Sequence, residues 1–269
     1  MHQPKFRKTV PLKEVAQTAP EFSLVLGGPL YQFYLRTRLA KQPIDLVRRR
    51  IIVLSLICWL PPLVLSLLSG TAFGGVKVPF SLDIGAHVRF LGSLPLLIAA
   101  EPVVQSRIPI IVRQFLDRNI IANGDRARFE ELIRSVMRLR NSAFIEILLL
   151  VLAFAGFWMW QEYPTLGDST WYVIETNGRI HFTLAGYWYV LISQPVLRFI
   201  FFRWCFRLAL WYWFLWNVRR FKLHLNFLHP DLAGGLGFLS ASTTAFSSIL
   251  IAQTVIVSGV IADEIPTRG

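Results

Sequence analysis

Residues Ile51–Ser69 read IIVLSLICWLPPLVLSLLS, 19 positions without a charge, directly after Arg48, Arg49 and Arg50. At 1.5 Å rise per residue, a helix of that length crosses a hydrocarbon core of roughly 30 Å. Working outward, Leu236–Ala262 is 27 residues without a charge. Ser142–Trp160 is interrupted only by Glu146, and Leu184–Phe202 only by Arg198. Phe90–Val104 is shorter and holds Pro95 and Glu101, so it reads as a tilted crossing or a re-entrant segment. The fold class is an all-α polytopic membrane protein with about five transmembrane helices, near 51–69, 88–104, 142–161, 184–205 and 236–262. These make one transmembrane domain over 51–262, between a basic segment 1–50 and a short tail 263–269. A hydrophobic fraction of 54% and a mean hydropathy of +0.49 in 269 residues exceed what a soluble core absorbs.

The net charge of +12 would suggest nucleic acid in a soluble chain, but its distribution argues otherwise. Ten Lys and Arg precede Ile51, eight lie between Arg107 and Arg140, and five between Arg203 and Lys222. The intervening loops hold only Lys77 and Arg179, and the tail only Arg268. Positive residues accumulate on the cytosolic side of membrane proteins, so the N-terminus and both basic connections are expected there, with no nucleic-acid partner. Without the crossing at Phe90–Val104, Arg107–Arg140 would fall on the wrong side. No cleavable signal peptide follows the first basic residues, and the first span serves as targeting signal.

Local signals fill in the connections. Phe22–Leu35 is apolar, broken by Gly27, Gly28 and Pro29, and reads either as an interfacial helix on anionic lipid or as a segment packed on the bundle. Within 105–141, two helical stretches flank Ala122, Asn123 and Gly124, giving a cytosolic helical hairpin whose charged face is solvated or docks a protein partner. In 169–184, two β-prone runs meet at Asn177 and Gly178, the pair favoured in a type I′ turn, so an extracytosolic β-hairpin is predicted. Its alternation puts Trp171, Val173, Ile180, Phe182 and Leu184 on one face that must be covered. Trp158, Trp160, Tyr163, Tyr187, Trp188 and Tyr189 fit an outer aromatic belt, and Trp204, Trp211, Trp213 and Trp216 an inner one. Leu184–Val218 is too long for one straight crossing, and a kink at Pro195 with an interfacial continuation is expected.

Ionisable residues at membrane depth are the first place to look for function. Glu101, Glu146, Arg198, Arg203 and Arg207 all map to the cytosolic half, with Arg203 and Arg207 on one helical face. They read as a charged vestibule or proton-linked site, or more simply as pairs that hold helices together. Glu101 is the stronger functional candidate because Pro102 disturbs the helix beside it. In the last span Ser240, Thr244, Ser247, Thr254 and Ser258 share a face that lines an aqueous path or lets helices approach closely. His229 and Asp231 invite thoughts of catalysis or metal, yet no HExxH, GxSxG or second such cluster accompanies them, and a structural helix start is the simpler reading. The sequence calls for no cofactor and no metal. Cys58 and Cys205 behave as small hydrophobes, and no internal repeat is visible.

RFLGSLPLLIAAEPVV (Arg89–Val104), the basic connection from Arg107, and LHPDLAGGLGFLS (Leu228–Ser240) resemble a family of uncharacterised bacterial polytopic inner-membrane proteins with an HPDxAGGLGFL-type motif. The resemblance covers most of Phe22–Ala262. It implies location in the inner (plasma) membrane and no activity. It also implies a shortened or truncated member, since the family pattern continues through at least one further span. Two functions remain: a non-catalytic membrane scaffold or sensor, and a path for a small solute or ion through the bundle, with a membrane enzyme at His229 and Asp231 a distant third. Membrane lipid, a protein at the cytosolic hairpin and a second copy of the chain are the partners compatible with this reading.

Overall fold

The computed structural model describes residues 22–37, 46–160, 169–176, 179–225 and 229–264. The basic stretch before Phe22, residues 38–45, Tyr163, the Asn177–Gly178 turn, Leu228 and the tail after Glu264 lie outside them, as do the side chains of Trp158 and Trp160. The helices are α1 (Pro29–Arg36), α2 (Val47–Leu68), α3 (Ile84–Asp117), α4 (Arg126–Arg140), α5 (Ala143–Trp160), α6 (Leu184–Val218) and α7 (Ser240–Glu264). One antiparallel hairpin, β1 (Val173–Thr176) and β2 (Arg179–Phe182), joins α5 to α6. Among the described residues, four helices are long and apolar enough to cross a membrane: α2, α3, α6 and α7. The pair α4–α5, bent by 44°, passes the same criteria only when taken together, which gives up to five if the pair is one broken span. The molecule is an all-α integral membrane protein with a small β-hairpin.

Two boundaries differ from expectation. The second span does not end at Val104, because α3 continues through Pro102 and Pro109 to Asp117, 34 residues and about 51 Å. A proline removes one N–H and crowds the carbonyl four residues back. Packing of α3 between α2 and α7 keeps the helix whole across both defects. Likewise α6 runs unbroken past Pro195 for 35 residues. The irregularity expected at Pro195 appears one turn earlier, as a π turn at Tyr189–Ser193.

The same device occurs in α3. Each long helix starts with a side-chain cap, Asp83 accepting from Ala86 N–H at 2.7 Å and Thr183 from Gly186 N–H at 2.9 Å. A π turn follows, Val88–Ser93 or Tyr189–Ser193, and then Pro95 or Pro195. The serine closing each π turn donates to a neighbouring helix, Ser93 Oγ to Ala252 O at 2.9 Å and Ser193 Oγ to Cys58 O at 2.7 Å. So α7 crosses the start of α3 as α2 crosses the start of α6. The repetition is one of backbone geometry, with little side-chain identity to announce it in the sequence.

At the hairpin end, β1 and β2 pair Val173 with Phe182 and Thr176 with Arg179, the register the sequence predicts. On the apolar face Trp171 is fully buried, donates its indole N–H to Asp83 Oδ2 at 2.8 Å and packs edge-on to Phe80. Leu184 departs from that face and is 75% exposed, because Thr183 caps α6 and the strand alternation ends there. At the opposite, arginine-rich end, α3 and α6 project past the other spans and clasp α4 through Phe115, Phe129 and Phe214. An isolated bridge between Ile121 and Leu223 ties the same region together. Tyr189, Trp204 and Trp211 are buried in the core and do not belong to an aromatic belt. Trp204 spends its indole N–H on Leu97 O at 2.9 Å, which fixes α6 to α3.

Candidate functional site: a buried arginine–glutamate cluster

The site begins with the buried face of α2, marked by Arg50, Ser55, Cys58, Pro62 and Ser66. These positions recur about once per turn, so Arg50 is carried inward by the helix that buries the small residues. On α3 the corresponding inward position is Glu101, and on α6 the pair Arg203 and Arg207, four residues apart. Glu101 takes one guanidinium on each oxygen: Arg50 Nη1 at 2.6 Å from Oε2 and Arg207 Nη2 at 3.0 Å from Oε1. The three side chains are 3%, 10% and 5% exposed in the order Arg50, Glu101, Arg207, so the exchange of charge takes place away from water.

Glu146, in the first turn of α5, forms a second anchor. Its Oε1 lies 3.4 Å from Arg203 Nη2, and its Oε2 accepts the Leu30 N–H at 2.8 Å. A carboxylate in the first turn also lies at the positive end of the helix dipole. Arg140, at the end of α4, donates to Ser23 O at 2.6 Å and to Asn141 Oδ1. Residues 22–36 thus close over the cluster. Phe22 packs on Trp211 and Phe214, Ser23 Oγ donates to Gln105 Oε1, and Tyr31 and Tyr34 are buried. Of the two readings of Phe22–Leu35, packing on the bundle is realised by these contacts. Burial pushes the Tyr34 phenol up to about 12, the nearby Glu101 carboxylate adding to the effect, so its hydroxyl stays protonated.

The predicted site residues fall into three groups. Glu101, Glu146, Arg203 and Arg207 come together in the cluster. Arg198 does not join it; its guanidinium lies over Gly156, where an added Cβ would stand 2.8 Å from Nη1. The hydroxyl face of α7 points outward. Ser240, Thr244, Thr254 and Ser258 are exposed on the bundle surface and Ser247 is half-buried. Ser240, Ser247 and Thr254 donate to carbonyls of the chain just before them, Gly237, Thr244 and Leu250. This face therefore lines no interior path and meets no neighbouring helix of the described bundle. Ala245, Phe246, Ile249 and Ala252 form the packed side of α7 instead.

His229 and Asp231 form a local cap. Asp231 accepts the backbone N–H groups of Ala233 and Gly235 at 3.0 Å on Oδ1 and of Gly237 at 2.8 Å on Oδ2. His229 Nδ1 lies 2.8 Å from Oδ1. Partial desolvation would raise the Asp231 carboxyl, but these three backbone donors and His229 hold it well below the usual carboxylate range. Gly234 and Gly235 have positive φ, which lets the chain wrap around the carboxylate. Among the described residues no group of three or more His, Cys, Asp or Glu is placed to hold a metal. The aromatic Phe238 seats this loop against Phe115, with Arg118 above its ring.

Sequence reasoning missed Arg50 and Arg140. Arg50 sat in a basic run that read as an orientation signal, yet the stripe Ser55, Cys58, Ser66 leads back to it at helical spacing. Arg140 carried no comparable mark, because its contact with Ser23 O depends on the return of a segment 117 residues away. Compared with protein-family models, curated proteins and solved structures, the chain matches none.

Proposed function

We propose that this protein is a non-catalytic membrane scaffold or sensor, seated in a bacterial inner membrane with its arginine-rich end in the cytosol. The observation that carries the reading is how the charged interior is spent. Glu101 bonds α2 and α6 to α3, and Glu146 binds α6 and the Leu30 backbone to α5, so both carboxylates act as clasps between segments. A void of only about 10 Å³ is left beside them, room for one water. The working surface is then α4. Its inner face, Phe129, Ile133 and Val136, is buried, and its outer face carries Arg134 and Arg138 paired with Glu131. Glu131, Arg134, Met137, Arg138 and Asn141 form an open surface along this helix. A held helix whose exposed face is rich in arginine around Met137 suits a protein partner rather than a solute.

The test pairs two measurements. Affinity purification from native membrane should retain a protein that is lost from the Arg134→Glu/Arg138→Glu variant, while the variant melts as the wild type does. Ion or solute flux through proteoliposomes of the purified protein, abolished by Glu101→Gln, would replace the scaffold reading with permeation.

A further inference from the structure

We infer that the buried cluster binds a monatomic anion of chloride size, held by the side edge of the Arg50 guanidinium. The first ground is charge. Arg50, Arg140, Arg203 and Arg207 are buried close to one another, and among the described residues they face the carboxylates of buried Glu101 and of Glu146, whose side chain is 13% exposed, an excess of two positive charges. Buried charges persist where they are paired, and this excess calls for an anion that the described side chains do not supply.

The second ground is the state of Arg50. The residue is 2% exposed; of its donor atoms Nη1 bonds Glu101, and the guanidinium carbon lies 5.2 Å from the centre of the Tyr34 ring. Its Nε and Nη2 are buried and have no hydrogen-bond partner among the described residues. Those two atoms form the parallel two-donor fork with which arginine grips an anion. The Tyr31 hydroxyl, close by, is also buried without a partner among the described residues.

The third ground is space. Arg50 lines a void of about 10 Å³ together with Tyr34, Ile98, Ile200, Arg203 and Arg207. That admits one particle of about the size of water. A halide fits with small adjustments, whereas a tetrahedral oxyanion requires residues 22–36 to lift off. Glu101 lines the same void, but each of its oxygens is already covered by a guanidinium, and three arginines, Arg50, Arg203 and Arg207, line it as well. A water in the void would satisfy donors and leave the excess of two charges untouched; a monovalent anion satisfies donors and halves the excess. The inference is independent of whether the protein works as a scaffold or a path.

The experiment uses the full chain in detergent or nanodiscs, exchanged into sodium gluconate. Thermal unfolding is followed as gluconate is replaced by chloride at constant ionic strength. A single site gives a folded-to-unfolded ratio that rises about 100-fold once free chloride is ~100 times its dissociation constant. Chloride-35 NMR of the same protein should show excess line width that bromide displaces. Arg50→Lys keeps the charge and removes the fork, and is expected to lose most of the chloride dependence. Equal melting in gluconate and chloride, together with no bromide-displaceable line width, overturns the inference even if no variant can be purified. A response to sulfate or phosphate but not to chloride also overturns it, in favour of an oxyanion under a displaced 22–36 segment.

Discussion

Replacing Glu101 by Ala removes the one carboxylate shared by α2, α3 and α6. Two guanidiniums, Arg50 and Arg207, then stay buried at 3% and 5% side-chain exposure with no counter-charge at 2.6 and 3.0 Å. Removing one partner of a buried pair costs about 3–5 kcal/mol, most of it from the charge left behind. Here two charges are left, so the upper part of that range is expected. At about 2–4 °C per kcal/mol for a chain of this size, the melting temperature should fall by roughly 8–20 °C. The assay is thermal unfolding in detergent followed by tryptophan fluorescence, since Trp204 and Trp211 are buried beside the cluster. The physical claim is that unpaired charge does the damage and not the lost contact. The triple variant Arg50→Met/Glu101→Met/Arg207→Met, which removes all three charges and keeps the volume, should therefore recover most of the loss. A Glu101→Ala protein melting within about 2 °C of wild type would refute the reasoning, because about 1 kcal/mol or less is what an exposed pair is worth. A triple variant worse than the single one would refute the charge-balance part alone.

Other outcomes follow from the same structure. Gly186→Ala should prevent folding or cost more than about 3 kcal/mol, because the new Cβ would stand 2.0 Å from the Tyr172 carbonyl oxygen, whereas Gly74→Ala, with nothing within 4 Å, should be silent in the same melt. Asp231→Asn should lower stability near neutral pH, where the wild-type carboxylate accepts three backbone N–H groups. Because the native carboxyl is held below its ordinary value of 3.8, that advantage is present above pH 3.8 and is lost as the pH falls towards the lower native value, so the two melting curves should converge in acid. Cysteines at Asn123 and Gly74 should label with an impermeant reagent from opposite sides of the membrane, and labelling from one side would overturn the orientation drawn from the arginines.

The candidate site was partly legible. Glu101, Glu146, Arg203 and Arg207 stood out because a charge inside an apolar run is rare and costly, whatever its surroundings. The Glu146–Arg203 pairing could be proposed because both map to the same membrane depth. That Glu101 has two partners, one of them Arg50, was hidden, since a residue at the edge of a span can snorkel to water or turn inward with equal ease. The hydroxyl face of α7 illustrates the opposite error. Its spacing was read correctly, but spacing does not tell which neighbour, if any, a face meets.

Sequence alone determined what depends on length and local sums: the apolar runs that make spans, the arginine asymmetry between their ends, the strand alternation that fixed the β1–β2 register, and the glycines that let Asp231 gather its donors. These quantities need no partner. Tertiary structure alone decided which side of each span faces inward. In a soluble helix the apolar stripe points to the core, but α2 and α7 expose apolar residues to the surroundings as well as burying them, and lipid is no less apolar than a packed interior. The choice of face then rests on close fit and on a few hydrogen bonds, such as Ser93 to Ala252 O, Ser193 to Cys58 O and Trp204 to Leu97 O. Those contacts join residues more than 100 positions apart, and they are why Trp204 and Trp211 lie in the core, why α3 stays whole through two prolines, and why Arg50 meets Glu101.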